Sequence, residues 1–528
     1  MAVSKQRIPP QEPSEKPERI SSSTEVLKRH IINEDVTKAE ILWALQKVAT
    51  HNSYRSAGSD TLLFREMFPD SEIASKIQMG RKVGYLIAYG LAPYFTKKLK
   101  DMLNKCSRIV IGFDESINKV SQRQQMDISV RYWNEESHTA QSRYVGSVFL
   151  TSTKAIDLLN GIKDCFRSHP ALISKVIQIG MDGPHVNLKL FRDLNQEMQT
   201  IDGNGNGHSL LNIGSCGLHS IHNSFRNGIK QAGWEMDYFF ISLYKLFNDY
   251  PLRRAEYSST TAADTFPLKF CATRWVENGR VAERAKQMLP HLRKYVSAVQ
   301  QQSRTKIRDS NPTYMRSFAS VEKSKPFSIV AGAITDPLFE AKLSFFCTAT
   351  GAVEPFLREY QNESSMVPFL YEDLSSLVRG VAEKVLSAET MSRLKSLNDL
   401  DLSDKSQLPP EKVDIGIATK VQLKLCTKQH NVTEHKTFEF RKECRAYYIG
   451  FLKKILDRSP LIYSLTRSLS CLDPATMAKS PKIAAQRLDT CLEKFVESSN
   501  LTGSEADRIK QEYNQLLGSF HIKYMLHE

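Results

Sequence analysis

Two short apolar segments of this chain each end in an aspartate, and this arrangement constrains the fold most. The first segment is Arg108–Ser116, with Asp114 near its end, and the second is Val176–Gly183, with Asp182. Apolar runs of this length, bounded by polar residues and glycine, predict buried β-strands. A strand end holds a carboxylate rigidly, and two neighbouring carboxylates can share divalent metal ions. The pattern therefore predicts a metal site at Asp114 and Asp182.

The neighbouring acid Glu115 is a weaker candidate ligand. Consecutive side chains on a strand point to opposite faces, so only one of Asp114 and Glu115 can face a shared metal ion. The phase of the strand does not decide between them, because both of its faces are apolar. We choose Asp114, since it occupies the position that RNase H-like sites use.

The order of elements around the two aspartates predicts a mixed sheet with flanking helices. Three strands are followed by a helix, a strand, a helix, a fifth strand and a further helix, at 108–116, 125–133, 142–152, 155–169, 175–182, 186–198, 210–216 and 218–231. Two hairpins followed by alternating units indicate an α/β fold. This order is similar to that of RNase H-like proteins, in which the first and fourth strands are neighbours. Asp114 and Asp182 are then expected side by side.

Composition shifts along the chain predict four regions. Residues 1–37 are rich in Pro, Glu, Ser and Lys and are expected to be a disordered tail. Residues 38–104 carry apolar positions at helical spacing and predict a small helical region. Residues 105–275 hold the predicted RNase H-like core. Residues 276–528 predict a large all-helical domain of the insertion type, apart from one candidate short strand at 413–425.

Charge and cysteine usage narrow the class of protein. The chain of 528 residues has a net charge of +14, and such a basic excess favours nucleic acid as a partner. No apolar run reaches the roughly 18 residues of a membrane span, so we expect no membrane partner. The nine cysteines include no Cys-x-x-Cys pair, which predicts reduced thiols and an intracellular location.

Two further motifs follow the predicted sheet. Cys216 and His219 are three residues apart, so they share one face of the predicted helix. Zinc binding would need further ligands, and we favour a role in shaping the carboxylate site or in holding DNA. Arg274 and Trp275 suit phosphate binding and base stacking. The alternative for this pair is a core tryptophan with an arginine on its edge.

Taken in order, these motifs resemble those of hAT-superfamily transposases. The resemblance covers residues 38–528 and includes a strand-one Asp, a strand-four Asp, a Cys-x-x-His, an Arg-Trp and a long helical insertion. It implies a DDE-type, Mg²⁺- or Mn²⁺-dependent enzyme that acts on DNA in the nucleus. By this resemblance Asp114 and Asp182 hold the metal, Cys216 and His219 line the site, and Arg274 and Trp275 bind phosphate and a flipped base.

The chain departs from the family pattern in three places. Before Asp114 there is no Cys and His spacing typical of the BED zinc finger that reads terminal DNA. After the helical insertion we find no counterpart of the family's third carboxylate, nor of its dimerisation segment. Two carboxylates hold two metal ions poorly. We therefore expect a catalytically incomplete protein, either a domesticated derivative or an incomplete gene model of a longer one, with homo-oligomerisation left open.

Other functions remain as alternatives. An active nuclease or transposase requires another acid to complete the site, for example Glu493 or Glu497. A non-catalytic scaffold for protein interactions would use the helical half of the chain. An actin-like ATPase shares the strand order, but it needs a Gly-rich phosphate hairpin after the first aspartate. Residues 117–123 contain no glycine, which disfavours that class.

Overall fold

The protein divides into two compact units, Met1–Lys105 and Cys106–Glu528. The structure, a computed structural model, describes residues 23–80, 82–167, 170–200, 207–304, 318–362, 364–394 and 396–525. Among these residues, no helix combines the length and the apolar character that a membrane span requires.

The first unit is helical. Its elements are α1 (Ser23–Ala49), α2 (Ser56–Met67), α3 (Glu72–Lys76), α4 (Lys82–Leu86), a π-helical turn (Ile87–Leu91) and α5 (Ala92–Lys105). Helix α1 begins well inside the stretch that we expected to be disordered, which corrects that expectation for residues 23–37. The reason is that no proline or glycine interrupts the sequence between Glu18 and Ala49. Residues 1–22 of the predicted tail lie outside the described residues.

The second unit opens with a mixed β-sheet, which confirms the predicted α/β class. Its strands are β1 (Ile109–Asn118), β2 (Arg123–Asn134), β3 (Thr139–Leu150) and β4 (Val176–Gly180). They lie in the order β3-β2-β1-β4, with β1 antiparallel to β2 and parallel to β4. The parallel register sets Gly112 beside Gly180. Asp114, inside β1, and Asp182, two residues beyond the end of β4, therefore lie toward the same end of this strand pair.

The predicted fifth strand is not formed as a regular strand, and the sheet has four strands in the described residues. The segment 208–216 nevertheless runs along β4. The backbone N–H of Leu211 donates to the carbonyl of Ile177, at 2.7 Å, and that of Cys216 donates to Met181, at 2.9 Å. Between these bonds Gly214 has a φ of 87°, which breaks the extended conformation. The hydrogen-bonded pairing between the segment 208–216 and β4 is therefore interrupted rather than absent.

The helices of the second unit account for most of its length. They are α6 (Ala155–Cys165), α7 (His185–Thr200), α8 (Gly217–Gln231), α9 (Met236–Phe247), α10 (Pro251–Thr261), α11 (Gly279–Arg304), α12 (Lys325–Ile334), α13 (Phe339–Tyr360), α14 (Val367–Ala382), α15 (Ala388–Arg393), α16 (Ile417–His430), α17 (Glu434–Arg458), α18 (Ser464–Leu469), α19 (Pro474–Lys479), α20 (Pro481–Glu497) and α21 (Gly503–Met525). One apolar core cluster extends from Ile221 to Leu461, on both sides of the predicted boundary at residue 275.

The candidate strand at 413–425 was wrong, because most of it belongs to helix α16. Buried side chains of this helix recur at Thr419, Leu423 and Cys426, spaced by four and three residues. That spacing places them on one helical face, packed against the core. In the sequence, the β-branched residues Val413 and Ile415 precede this helix and suggested a strand, but both belong to an irregular segment.

Helices α8 and α17 pack closely against each other, and this packing positions the cleft. A Cβ atom at Gly228 would lie 2.8 Å from the carbonyl oxygen of Tyr447, and one at Gly450 would lie 2.6 Å from the side chain of Gln231. The side-chain amide of Asn227 donates to the carbonyl of Gly450, at 2.8 Å. Glycine therefore lets the two helix backbones approach within a distance that a larger residue prevents.

We expect Gly228→Ala to destabilise the protein by about 1–3 kcal/mol, because the added methyl group overlaps a backbone carbonyl that cannot rotate away. The matched control is Gly351→Ala in the interior of α13, where a Cβ would meet no atom within 4 Å. That change should stabilise the protein by about 0.5–1 kcal/mol, the difference in helix propensity. Urea denaturation measures both. Equal effects of the two substitutions would contradict the close α8–α17 contact.

Candidate functional site

The middle of β1 and the end of β4 form one side of an open cleft of about 500 Å³. Asp114 therefore does not end its strand as the sequence predicted, because β1 continues to Asn118. The residues lining this cleft include Asp114, Asp127, Asp182 and Cys216. The two predicted metal ligands therefore line the same cleft, as the adjacency of their strands requires. Glu115 is half-buried and is not among the lining residues. Burial raises the pKa of Glu115, and the charges of Asp114 and Asp182 raise it further.

A third carboxylate in the cleft, Asp127, was missed by the sequence analysis. Asp127 lies directly opposite Asp114 in the β1–β2 pairing. Its Oδ1 atom accepts hydrogen bonds from the amide of Gln125, at 2.7 Å, and from the hydroxyl of Ser147. Like charges that face each other across a sheet repel. The register of the hairpin, with Asn118 opposite Arg123, is the signal that would have paired the two aspartates.

Asp182, Cys216 and His219 come together at the start of helix α8. Among the described residues they form the one group of three potential metal ligands whose donor atoms all lie within 4.8 Å of one another. Nδ1 of His219 is 2.8 Å from Oδ1 of Asp182. The contact is an ion pair when the imidazole is protonated.

The same three residues share a strong electrostatic coupling. The contact with Asp182, followed by that with Cys216, raises the pKa of His219 to about 10, against the opposing effect of burial. Burial alone would raise the pKa of the Cys216 thiol, but contacts with His219 and with backbone N–H groups of helix α8 outweigh it and lower that pKa. At neutral pH the His219 imidazole is therefore protonated, with its positive charge beside Asp182.

These residues do not fit a site for two Mg²⁺ ions. Mg²⁺ takes oxygen ligands in a near-ideal octahedron. The clustered donors are instead one carboxylate, one thiol and one imidazole, a set that suits Zn²⁺ once the imidazole is deprotonated. A protonated His219 also opposes the approach of any cation to Asp182. Asp114 lines the cleft but is not a member of the clustered group.

The Arg274–Trp275 motif is joined to helix α8 through His222, three residues after His219 in the sequence. The backbone N–H of Val276 donates to Nδ1 of His222, at 3.3 Å. An accepting Nδ1 requires a neutral ring. In agreement, burial and then the charges of His219 and Arg274 lower the pKa of His222 to about 4. Two histidines on one helix thus hold opposite protonation states at neutral pH.

Trp275 is a core residue in this conformation. Its side chain is 5% exposed and packs edge-to-face on Phe270, with ring centroids 5.2 Å apart. Arg274 is exposed and its guanidinium lies 3.4 Å from the carboxylate of Glu277. The structure therefore supports the alternative of a core tryptophan with an arginine at its edge, and the indole is not available for base stacking.

Two acids proposed to complete an active site do not reach the cleft. Glu493 and Glu497 lie on helix α20, and neither is among the residues lining the cleft. Glu497 instead pairs with Lys494, at 2.6 Å. Of the described acids, Asp127 is the one that joins Asp114 and Asp182 in the cleft lining.

Comparisons with known proteins do not indicate a function for this chain, so the inference of function rests on the cleft. No protein-family model matches this chain, and a search of curated proteins found no similar protein. The cleft combines three carboxylates and a half-buried thiol, and the imidazolium of His219 contacts the carboxylate of Asp182. This set can bind a cation or orient a polar substrate, while the imidazolium offers positive charge to an anion.

We expect His219→Gln to lower the free energy of unfolding by about 1 kcal/mol or less, since solvent screens a pair that is 40–44% exposed. The folded-state pKa is raised from 6.5 to about 10, so the stabilisation is complete below about pH 6.5 and is lost as the pH rises through about 10. Chemical denaturation across this range should therefore show wild type and variant converging in alkali. His138→Gln, in an exposed turn between β2 and β3, is the control.

Trp275→Ala should cost about 3–5 kcal/mol of unfolding free energy, because it removes a large buried side chain from the core. The matched control Trp133→Ala removes an indole that is 51% exposed, and we expect a change of about 0.5 kcal/mol. Equilibrium unfolding monitored by circular dichroism measures both. A stable Trp275→Ala variant with weakened nucleic-acid binding would instead support base stacking.

Proposed function

We propose that this chain is a nucleic-acid-binding protein of hAT-transposase origin, built on an RNase H-like core whose catalytic site is incomplete. DNA is its partner. The strand order β3-β2-β1-β4 supports the core assignment, as does the segment 208–216 that follows β4 on its free edge. RNase H-like folds use the same order, with a fifth strand at that edge.

The motif arrangement supports the transposase origin. Asp114 and Asp182 line one cleft, and the Cys-x-x-His pair contributes Cys216 to the cleft and His219 to the contact with Asp182. The Arg-Trp motif connects to the same helix through His222. Motifs that are far apart in the sequence therefore meet in one region, as the resemblance implies. By the same resemblance we propose a nuclear location.

Nucleic acid is favoured as the partner by charge. The chain carries 72 Lys and Arg residues against 58 Asp and Glu residues. An excess of this size attracts polyanions and makes their binding dependent on salt. A role purely as a scaffold for proteins is the alternative, and it predicts no affinity for nucleic acid at low salt.

The ion pair between Asp182 and His219 is the single observation that carries the proposal of incomplete catalysis. A protonated imidazole 2.8 Å from the carboxylate supplies the positive charge that a metal ion supplies in a two-metal site. The clustered donors hold one carboxylate rather than three. Metal-dependent strand transfer is therefore weak or absent in the proposed function.

An active Mg²⁺- or Mn²⁺-dependent enzyme remains the second candidate because of Asp127. With this residue the cleft has three carboxylates, from β1, from β2 and from the end of β4. Carboxylate oxygens are the ligands that these hard cations prefer. In this alternative Asp114, Asp127 and Asp182 would hold the metal, and His219 would release its proton on metal binding.

The test titrates the purified chain with Mn²⁺ by calorimetry and measures cleavage of a nicked or branched DNA duplex. We expect duplex binding in EDTA at low salt, weak Mn²⁺ binding, and cleavage no faster than that of the Asp114→Asn/Asp182→Asn variant. The protonated imidazole next to Asp182 is the reason for the weak metal binding.

A control double variant, Asp164→Asn/Asp193→Asn, removes the same number of carboxylates from helices α6 and α7. Mn²⁺ binding and cleavage that persist in this control but vanish in Asp114→Asn/Asp182→Asn would establish the active alternative. Failure of the wild-type chain to bind any duplex at low salt would overturn the proposal itself.

A further inference from the structure

Two cavities lie between helices α8 and α17, and the α8 residues His219, Asn223, Asn227 and Gln231 that line them are four residues apart on one helical face. We call the two cavities together the basic groove. The two helices run antiparallel, since Ser220 contacts the carbonyl of Arg458 while Asn227 contacts that of Gly450. Five cationic side chains of α17 line the groove, namely Lys442, Arg445, Lys453, Lys454 and Arg458. The groove begins at His219, which also contacts Asp182 in the cleft.

The end of the basic groove nearest the cleft is a small enclosed cavity of about 70 Å³. Its lining is polar and cationic: Gly183, Ser215, His219, Ser220, Asn223, Lys454 and Arg458. Lys454 and Arg458 are one helical turn apart, so both side chains point to the same side of α17. The cavity brings together the positive charges of Lys454 and Arg458 and two hydroxyl groups, which is the chemistry of an anion site.

The distal part of the basic groove is a wider cavity of about 440 Å³. Lys442, Arg445 and Lys453 line it from α17, and Asn227 and Gln231 line it from α8. One acid, Asp404, is also part of its lining. Positive charge therefore exceeds negative charge along the groove as a whole.

Ion pairs with neighbouring acids do not remove the excess of positive charge along the groove. Arg458 pairs with Asp457, at 3.0 Å, and lies 3.2 Å from Nε2 of His185. Lys442 pairs with Glu439, at 3.3 Å. On the α8 side, Arg226 and Lys230 are exposed and share a helical face with His219 and Asn223. These additional cations extend the positive surface beside the groove.

We propose that the basic groove binds the phosphate backbone of one nucleic-acid strand and guides that strand into the carboxylate cleft. The proposal rests on the proposed function and names the surface that performs its binding step. From His219 to Gln231 the groove is about 18 Å long at a helical rise of about 1.5 Å per residue. A strand of duplex DNA advances roughly 3.4 Å per nucleotide, so the groove spans about five phosphates.

The shape of the groove favours nucleic acid over other polyanions. The cations lie along one side of a single long helix, α17, and an elongated row of positive charge matches a sugar-phosphate backbone. Its two cavities place hydroxyl and amide side chains between the cations, groups that position phosphates. A membrane surface would instead require a flat or protruding face with apolar anchors.

The test compares Lys454→Gln/Arg458→Gln with wild type by fluorescence anisotropy of a labelled DNA duplex in EDTA, over a range of salt concentrations. We expect about tenfold weaker binding at low salt, and a slope of log affinity against log salt that is smaller by about two, one for each lost phosphate contact. Lys454→Gln alone should lower the slope by about one, which provides a milder variant should Arg458→Gln perturb folding.

The matched control is Lys424→Gln/Lys428→Gln on helix α16. These lysines are exposed and four residues apart, as Lys454 and Arg458 are, so the variants lose the same charge at the same spacing. The control should keep the wild-type affinity and slope. Equal weakening in both double variants would mean that total charge alone determines binding. That result would overturn the proposal that the basic groove binds nucleic acid.

The test also distinguishes failure of the groove proposal from failure of the proposed function. If wild type binds the duplex strongly and Lys454→Gln/Arg458→Gln binds it equally well, the groove proposal is overturned and the proposed function is not. No duplex binding by wild type overturns both. A variant that loses affinity for phosphatidylserine vesicles but not for duplex would assign the groove to a membrane surface and also overturn the proposal.

Discussion

The close contact between helices α8 and α17 is the constraint on which the organisation of the cleft depends. It joins segments more than two hundred residues apart, and Gly228 and Gly450 allow it because neither has a side chain at the crossing. The start of α8 carries Cys216 and His219 to the end of β4. The end of α17 brings Arg458 to the same place. A single helix pair thus fixes the acidic cleft and the basic groove relative to each other.

Electrostatic balance explains why the cleft tolerates three carboxylates. Asp114 and Asp127 face each other across two strands, and Asp182 lies on the neighbouring strand end. Hydrogen bonds from Gln125 and Ser147 stabilise the Asp127 charge, while the His219 imidazolium stabilises that of Asp182. For Glu115, burial and the charges of the nearby aspartates raise the pKa and outweigh a hydrogen bond with Gln124 that lowers it. The charges of Asp127 and Asp182 are therefore balanced by neighbouring groups, which lowers the cost of placing several carboxylates in one cleft.

The sequence predicted the first four strands and their flanking helices because local patterns determine them. Apolar runs and helical spacing can be recognised within ten to twenty residues of sequence. The predicted fifth strand is interrupted at Gly214, which has a positive φ and lies so close to Tyr463, far along the chain, that a Cβ would overlap its ring. Asp127 was missed since its role depends on hairpin register, and the basic groove was missed since its cations come from a helix beyond residue 430. Contacts distant in sequence carry no local signal.

The proposed loss of catalysis and the retention of nucleic-acid binding have a common physical origin in His219. Three carboxylates repel a phosphate backbone unless positive charge lies between them, and metal ions supply that charge in an active enzyme. Here the imidazolium beside Asp182 supplies it as a fixed part of the fold. Lys454 and Arg458 extend it into the groove without needing a cation from solution. In the proposed function, a cleft arranged in this way keeps its affinity for a strand, while attack on the phosphodiester lacks the metal ion that would activate it.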